Sequence, residues 1–292
     1  MTMLQIDVKP VLPFDRSVQG ILVPIPFDTW DQQFLDCRVT GGAVAATVTA
    51  LNSGQKAYWI KDYDPQELSI GYRFNEQPGS PPEWLWSLPR SPFAPSPELA
   101  DQARDVTAGK SQKVRALVDH TVAHFEYTHP EVSILQGRET VPAVCGLTEG
   151  SCVDIHTYFI SALAAVGSEA TYLHGYYFRE QETVSPGFHC WLATRDEQGI
   201  RNWDLSHALI YNRIPAVDGL NPHPGRRVVV GAGKDLRFDL DGLGVECHIL
   251  CHPALVADDG TTRRTPISVH LRTEHDQGFR IAPSTGTSPI SG

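Results

Sequence analysis

The chain has 292 residues, of which 41% are hydrophobic and 20% are charged, and its formal net charge is -10 at pH 7. This composition is that of an ordinary globular protein, with length for one large domain or two modest ones. The acidic balance argues against nucleic acid as a partner, because phosphate binding needs clustered Lys and Arg. No segment approaches the roughly 18 apolar residues of a membrane span, so we expect no membrane partner.

The six cysteines bear on the redox environment. Six cysteines in a chain this long do not suggest a disulfide framework. Residues 1–7 lack a basic region followed by an apolar stretch, so the sequence reads without a secretory signal. We therefore expect reduced thiols and a cytoplasmic location.

The first predicted domain, residues 1–92, is β-rich. Runs of β-branched and aromatic residues at 44–51 and 56–63 are joined by a short turn signal, which predicts a hairpin. Alternation of apolar and polar residues at 68–74 predicts a half-buried strand. A Pro-rich connection over 77–95 then predicts the domain boundary.

The second predicted domain, residues 93–275, begins with helices. Ser96 followed by Pro97 predicts a helix start. Apolar residues at helical spacing predict an amphipathic helix over 111–125. A more apolar helix is predicted over 152–166, and its composition indicates that it is buried.

Strands are predicted to follow the helices. Their β-prone residues lie at 171–178, 188–194, 200–204, 226–231, 236–240 and 244–251. The tail, residues 276–292, has no periodic apolar pattern and is predicted to be disordered. The predicted fold class is α+β.

Cys152 lies in an informative setting at the predicted start of the apolar helix. The free N–H groups and the positive dipole end of a helix N-terminus lower the pKa of a thiol placed there. The backbone N–H of Cys152 is also a natural donor to an oxyanion. Gly150 and Ser151 are small and would let a substrate approach.

His189 and Asp204 are predicted to meet across a hairpin. If the turn is symmetric about Asp196 and Glu197, His189 faces Asp204 directly, and such pairs have Cβ atoms about 4.5–5.5 Å apart. A register slip of one residue would destroy the arrangement. The carboxylate would then orient the imidazole and stabilise its charged form, and the imidazole would deprotonate a thiol.

The stretch from 150 to 204 resembles the transglutaminase-like core of the papain-like cysteine enzymes. The features that carry the resemblance are a Cys at a helix start, the helix Tyr158–Gly167, the dipeptide Gly175-Tyr176 in a predicted strand, the motif His189-Cys190-Trp191, the motif Trp203-Asp204 and the turn Gly231–Asp235. The β-rich N-terminal region is similar to the extra β domain of the bacterial group. Cys190 stands where many members have Ala, and we interpret it as a packing residue.

The resemblance implies a papain-like core with the thiol on a buried helix packed against an antiparallel sheet. It implies a catalytic triad of Cys152, His189 and Asp204 that attacks an amide of a protein or peptide substrate. A thioester then forms and is resolved by water, as in a protease or amidase, or by a small amine, as in transamidation. No metal or other cofactor is implied.

Two other classes stay open. One is a thiol acyltransferase of the arylamine N-acetyltransferase type, although its Arg-Gly-Gly motif is absent. The other is a non-catalytic scaffold with a vestigial triad. The sequence leaves open the acyl donor, the acceptor, the second oxyanion donor and the oligomeric state.

Three other patterns are set aside. The segment 228–235 looks like a strand followed by a nucleotide-binding loop, but Leu236 stands where the fingerprint needs glycine. The segment 247–252 contains two Cys and two His, but in a strand the two residue types point in opposite directions. Asp154 and His156 are predicted to make local polar contacts at the helix start.

Overall fold

A computed structural model describes residues 2–12, 18–88, 91–212 and 225–273. These residues form mostly strands with four α-helices, α1 (Pro97–Thr107), α2 (Lys113–His124), α3 (Cys152–Ala165) and α4 (Leu205–Ile210). The strands are β1 (Met3–Pro10), β2 (Val18–Ile25), β3 (Gln33–Thr40), β4 (Gly42–Thr49), β5 (Lys56–Tyr63), β6 (Ser69–Asn75), β7 (Phe125–Tyr127), β8 (Thr148–Gly150), β9 (Glu169–Arg179), β10 (Phe188–Asp196), β11 (Gly199–Trp203), β12 (Gly225–Ala232), β13 (Leu236–Leu240), β14 (Leu243–Cys247), β15 (Ala254–Ala257), β16 (Thr262–Arg264) and β17 (Ile267–Thr273). Within the described residues, no helix is long and apolar enough to cross a membrane.

Two antiparallel sheets contain the N-terminal strands. One has the order β17-β1-β6-β3 and the other β16-β15-β2-β5-β4. Alternate residues of β1 and β6, such as Ile6, Val8, Ile70 and Tyr72, are buried, as the period-2 pattern of a half-buried strand requires. Both sheets therefore combine strands from the two ends of the chain.

A third antiparallel sheet, β11-β10-β9-β12, positions the candidate site. Helix α3 packs against β9 and β10. A Cβ added to Gly175 of β9 would lie 1.9 Å from the carbonyl oxygen of Val228 in β12, so only glycine allows the close approach of these strands. One hydrophobic cluster runs from the N-terminal sheets to α3 and β9.

The α+β prediction is confirmed, and so are the main elements. The hairpin of β4 and β5, the helices at 113–124 and 152–165, and the strands from β9 to β13 lie within a few residues of their predicted positions. Ser96 caps α1 by accepting a hydrogen bond from the N–H of Leu99 at 3.2 Å. The boundary near residue 92 stays a prediction, and the predicted disordered tail lies outside the described residues.

Two sequence predictions about strands are wrong. The predicted strand 244–251 ends at Cys247, because the chain turns there and the N–H of Asp235 bonds to the carbonyl of His248. In the β10–β11 hairpin, Gly199 pairs with Asp196 and not with Thr194, so the register differs by two residues from the predicted one. The turn is a tight one of two residues, and Asp196 accepts a hydrogen bond from the N–H of Gln198 at 2.8 Å.

Candidate active site

Cys152 is the first residue of α3, as predicted. Ser151 is the N-cap, and a capping box links its side chain and backbone N–H to Asp154. The Cys152 side chain is nearly buried, with 7% exposure. The sequence folds this way because Ser followed three positions later by an acid satisfies two of the N–H groups at the helix start.

His189 and Asp204 contact each other, although not by the predicted strand pairing. The Nε2 atom of His189 lies 2.8 Å from Oδ2 of Asp204. Strand β11 ends at Trp203, and Asp204 leaves the ladder to become the N-cap of α4. The two residues therefore meet because the chain turns toward His189 at the strand end.

The Cys152 thiol and the His189 imidazole lie close enough for each to shift the pKa of the other. Since Nε2 of His189 is engaged by Asp204, Nδ1 is left to serve the thiol. The structure thus places Cys152 near the hydrogen-bonded pair of His189 and Asp204.

The electrostatics of these groups favour a charged pair. The pKa of the Cys152 thiol is held well below its ordinary value by hydrogen bonds from Cys190 and His189 and by the charge of His189, against the effect of burial. Burial alone would lower the pKa of His189, but the carboxylate of Asp204 and the hydrogen bond with Cys152 raise it to about 9. Both shifts act in the direction that favours a thiolate beside an imidazolium.

Asp204 has further partners that the sequence did not suggest. Its exposure is 1%, and Oδ2 accepts hydrogen bonds from Nε of Arg227 at 2.8 Å and from a terminal nitrogen at 2.7 Å. Although burial opposes ionisation, His189, His207 and Arg227 hold the pKa of Asp204 well below its usual range. Arg227 lies near the start of the apolar strand β12. A charged residue in such a strand is the one sequence signal that could have indicated a buried ion pair.

His207 stacks on the catalytic candidate His189. The two rings are parallel within 6°, with centroids 4.0 Å apart. Nδ1 of His207 lies 2.6 Å from a terminal nitrogen of Arg227 and 2.9 Å from Oδ2 of Asp204. Burial lowers the pKa of His207, although Asp204 acts in the opposite direction.

His189, Asp204 and His207 are close enough to be tested as a metal site. Their ligand atoms lie within 4.8 Å of one another. However, the Arg227 guanidinium bonds to the carboxylate oxygen that both imidazoles approach. A cation would have to displace it, so this donor set fits a hydrogen-bonded network better than a metal ion.

His156 joins the helix of the thiol to the helix of the acid. It is fully buried, its Nδ1 lies 2.9 Å from the carbonyl oxygen of Cys152, and its Nε2 accepts a hydrogen bond from the N–H of Leu205 at 3.1 Å. Nδ1 therefore carries the proton and the ring is neutral. Burial lowers the pKa of His156 to about 4. The predicted local contacts of Asp154 and His156 are confirmed, and the link to α4 is new.

Cys190 is fully buried, as expected of a packing residue, but it also contacts the site. Its thiol and that of Cys152 each shift the pKa of the other. Its Sγ atom also lies 3.8 Å from Nδ1 of His156. Burial and the neighbouring Cys152 hold the pKa of the Cys190 thiol well above its ordinary value.

Residues of the two segments set aside in the sequence lie near the start of α3. Lys234 is buried, donates to Oγ1 of Thr157 at 3.1 Å and lies over the ring of Phe93. His248 contacts Asp235, with Nδ1 2.5 Å from Oδ1. A cavity of about 460 Å³ lies beside the start of α3, lined by Ser151, Val153, Asp154, Lys234, Asp235, His248 and residues of 91–92 and 133–141.

A thiol at a helix start, near an imidazole that is hydrogen-bonded to a carboxylate, is an arrangement typical of cysteine enzymes. Residues 97–203 match the model of the Transglutaminase-like superfamily. The resemblance inferred from sequence is thereby confirmed: this part of the chain is a transglutaminase-like core. No curated protein matches the sequence.

Three solved structures give a comparison of the fold. A candidate cysteine protease from Cytophaga hutchinsonii is 13% identical, with a TM-score of 0.48, over 93% of this chain and 98% of the other. The periplasmic domain of TgpA from Pseudomonas aeruginosa is 16% identical, with a TM-score of 0.38, over 73% and 90%. A candidate protease from Parabacteroides distasonis is 11% identical, with a TM-score of 0.29, over 62% and 42%.

Proposed function

We propose that this protein is a cysteine-dependent amide hydrolase or acyltransferase with Cys152 as nucleophile, His189 as general acid and base, and Asp204 as the group that orients His189. The observation that carries the proposal is the hydrogen bond between His189 and Asp204, together with the mutual pKa effects of His189 and the Cys152 thiol at the start of α3. Its substrates are proteins or peptides, and a small amine can serve as acceptor in place of water.

In the first half of the reaction, the Cys152 thiolate attacks the carbonyl carbon of an amide. The backbone N–H of Cys152, in the first turn of α3, supports the oxyanion. His189 gives its proton to the leaving amine, and a thioester on Cys152 remains.

In the second half, neutral His189 takes a proton from water or from an amine, which attacks the thioester. The thiolate then leaves, and His189 is again protonated. Asp204 keeps one imidazole nitrogen occupied throughout, so the other nitrogen always faces the thiol.

The proposal is tested with p-nitrophenyl acetate, which acylates activated thiols. We expect a burst of p-nitrophenol and an acetyl group on the Cys152 peptide by mass spectrometry. Cys152→Ala should abolish the adduct, and His189→Ala should slow acylation by about 100-fold or more. Cys145→Ala is the matched control, since Cys145 is exposed and its loss should change nothing.

Two outcomes separate the alternatives. If acetylation of Cys152 is no faster than that of Cys145, the proposal is overturned in favour of a scaffold. If the burst is seen, adding glycinamide measures the partition between water and amine. A peptide library, read by mass spectrometry for cleavage or for amine incorporation, then identifies the acyl donor.

A further inference from the structure

Two thiols meet at the start of α3. Cys152 begins the helix, and Cys190 lies next to His189 on β10, which packs against that helix. Nδ1 of His156 joins the two residues, because it lies 3.8 Å from Sγ of Cys190 and 2.9 Å from the backbone carbonyl oxygen of Cys152. In keeping with this proximity, each thiol shifts the pKa of the other.

The two thiols differ in their access to solvent. Cys152 retains some exposure at 7%, whereas Cys190 has none. A small oxidant that enters from solvent therefore reaches Cys152 before it reaches the fully buried Cys190. Oxidation of a thiol proceeds through its thiolate, so the more acidic and more accessible sulfur reacts first.

We propose that Cys152 and Cys190 form a reversible oxidation site, in which a hydroperoxide oxidises Cys152 and Cys190 closes a disulfide with it. The disulfide would store the nucleophile in a form that a thiol reductant restores. Without a neighbouring thiol, the sulfenic acid of Cys152 would remain open to further, irreversible oxidation.

The chemistry balances in two steps. The Cys152 thiolate attacks one peroxide oxygen, the O–O bond breaks, and the alkoxide or hydroxide that leaves takes a proton, which gives Cys152 sulfenic acid. The Cys190 sulfur then attacks the Cys152 sulfur, the S–O bond breaks, and hydroxide leaves as water with the Cys190 proton. Two thiols lose two electrons in total, and the hydroperoxide gains them to become an alcohol, or water, plus water.

This inference rests on the reactive Cys152 of the proposed function, but its test reads mass and not amide turnover. The protein is treated with a small excess of hydrogen peroxide, and its intact mass and its peptides are followed. We expect the wild type to lose about 2 Da and to yield a joined Cys152–Cys190 peptide that dithiothreitol separates. A protein that forms this bond but turns over no amide would overturn only the proposed function.

The decisive variant is Cys190→Ala, which places here the residue that many relatives carry, with Cys190→Ser as the second variant should the first not fold. In either, Cys152 should gain about 32 Da as a sulfinic acid that dithiothreitol cannot reverse. Cys251→Ala is the matched control, because Cys251 is equally buried and contacts His252 instead; it should behave as the wild type. The inference is overturned if Cys152 reaches the sulfinic acid equally fast in wild type and Cys190→Ala, or if Cys152 joins another cysteine.

Discussion

Asp204 is the residue on which the candidate site converges. It contacts His189, His207 and Arg227 through one oxygen, while its other oxygen accepts hydrogen bonds from Ser206 and from the N–H of His207. A carboxylate so fully engaged acts on both reactivity and stability. It fixes the imidazole, and it balances a buried guanidinium.

The variant Asp204→Asn should therefore be impaired in two ways. Acylation should fall by about 10⁴-fold because the amide no longer holds His189 in the productive tautomer. The free energy of unfolding should fall by about 3–5 kcal/mol because Arg227 is left buried without its carboxylate. Urea unfolding measures the second effect. Asp36→Asn is the control, since the Asp36–Arg73 pair is partly exposed and should contribute less than about 1 kcal/mol.

The pH profile of acylation follows from His189. Because its pKa is raised to about 9, the imidazolium that supports the thiolate is lost only above that pH. We expect kcat/KM for p-nitrophenyl acetate to hold between pH 7 and 8 and to fall above pH 9. In Asp204→Asn the decline should begin at lower pH, because the charge of Asp204 is the main effect that raises the pKa of His189. A decline at the same pH in both proteins would contradict the assignment.

At the scale of elements, the first turn of α3 contains both the N-cap that stabilises the helix and the candidate nucleophile Cys152. Ser151 caps the helix and bonds to the side chain of Asp154, with Oγ 2.6 Å from Oδ2. The same turn carries Cys152. Loss of the cap should therefore disturb the thiol as well as the helix.

Ser151→Ala and Ser96→Ala form a matched pair. Both remove a serine N-cap, of α3 and α1 respectively, and each should cost about 1 kcal/mol of unfolding free energy. Only Ser151→Ala should slow alkylation of Cys152 by iodoacetamide at pH 6. If both variants, or neither, change that rate, the cap of α3 has no special link to the nucleophile.

The sequence predicted elements well and their relative placement less well. Helix α3 and strands β9 and β10 could be predicted because apolar spacing and a capping serine are local signals. The register of the β10–β11 hairpin could not be predicted, because it depends on whether the turn after Asp196 has two residues or more. The contact of His189 with Asp204 was predicted for a wrong reason. Arg227 and the bridge made by His156 depend on long-range packing, which periodicity does not report.

At the scale of the whole molecule, His156, His174 and His252 are buried and neutral at pH 7. Burial lowers the pKa to about 4 for His156, to about 3 for His174 and to about 4 for His252. Each is below the unfolded value near 6.5, so between pH 6.5 and 4 the unfolded chain binds more protons than the folded one. Stability present above pH 6.5 is therefore lost as the pH falls.

We expect the free energy of unfolding to decrease between pH 7 and pH 5, with each histidine contributing up to about 1.4 kcal/mol per pH unit. His189 opposes this trend near pH 7, because the folded form is already protonated while the unfolded imidazole takes up its proton near pH 6.5, and it adds no slope at lower pH. Urea titrations at the two pH values measure the change. His252→Gln should reduce the slope, whereas His270→Gln, at an exposed position, should leave it intact. Equal stability at pH 7 and 5 would refute the expectation.

The pairing of β1 with β17 has a consequence for protein synthesis. Val8 pairs with Val269, so about 260 residues must be translated before this strand meets its neighbour. At roughly 5–20 residues per second, the ribosome needs on the order of 13–52 s for that stretch. During this interval one edge of β1 stays open, and β2 likewise waits for β15. Nascent chains would thus be most exposed to edge-to-edge association, and to the need for a chaperone, until the last strands emerge.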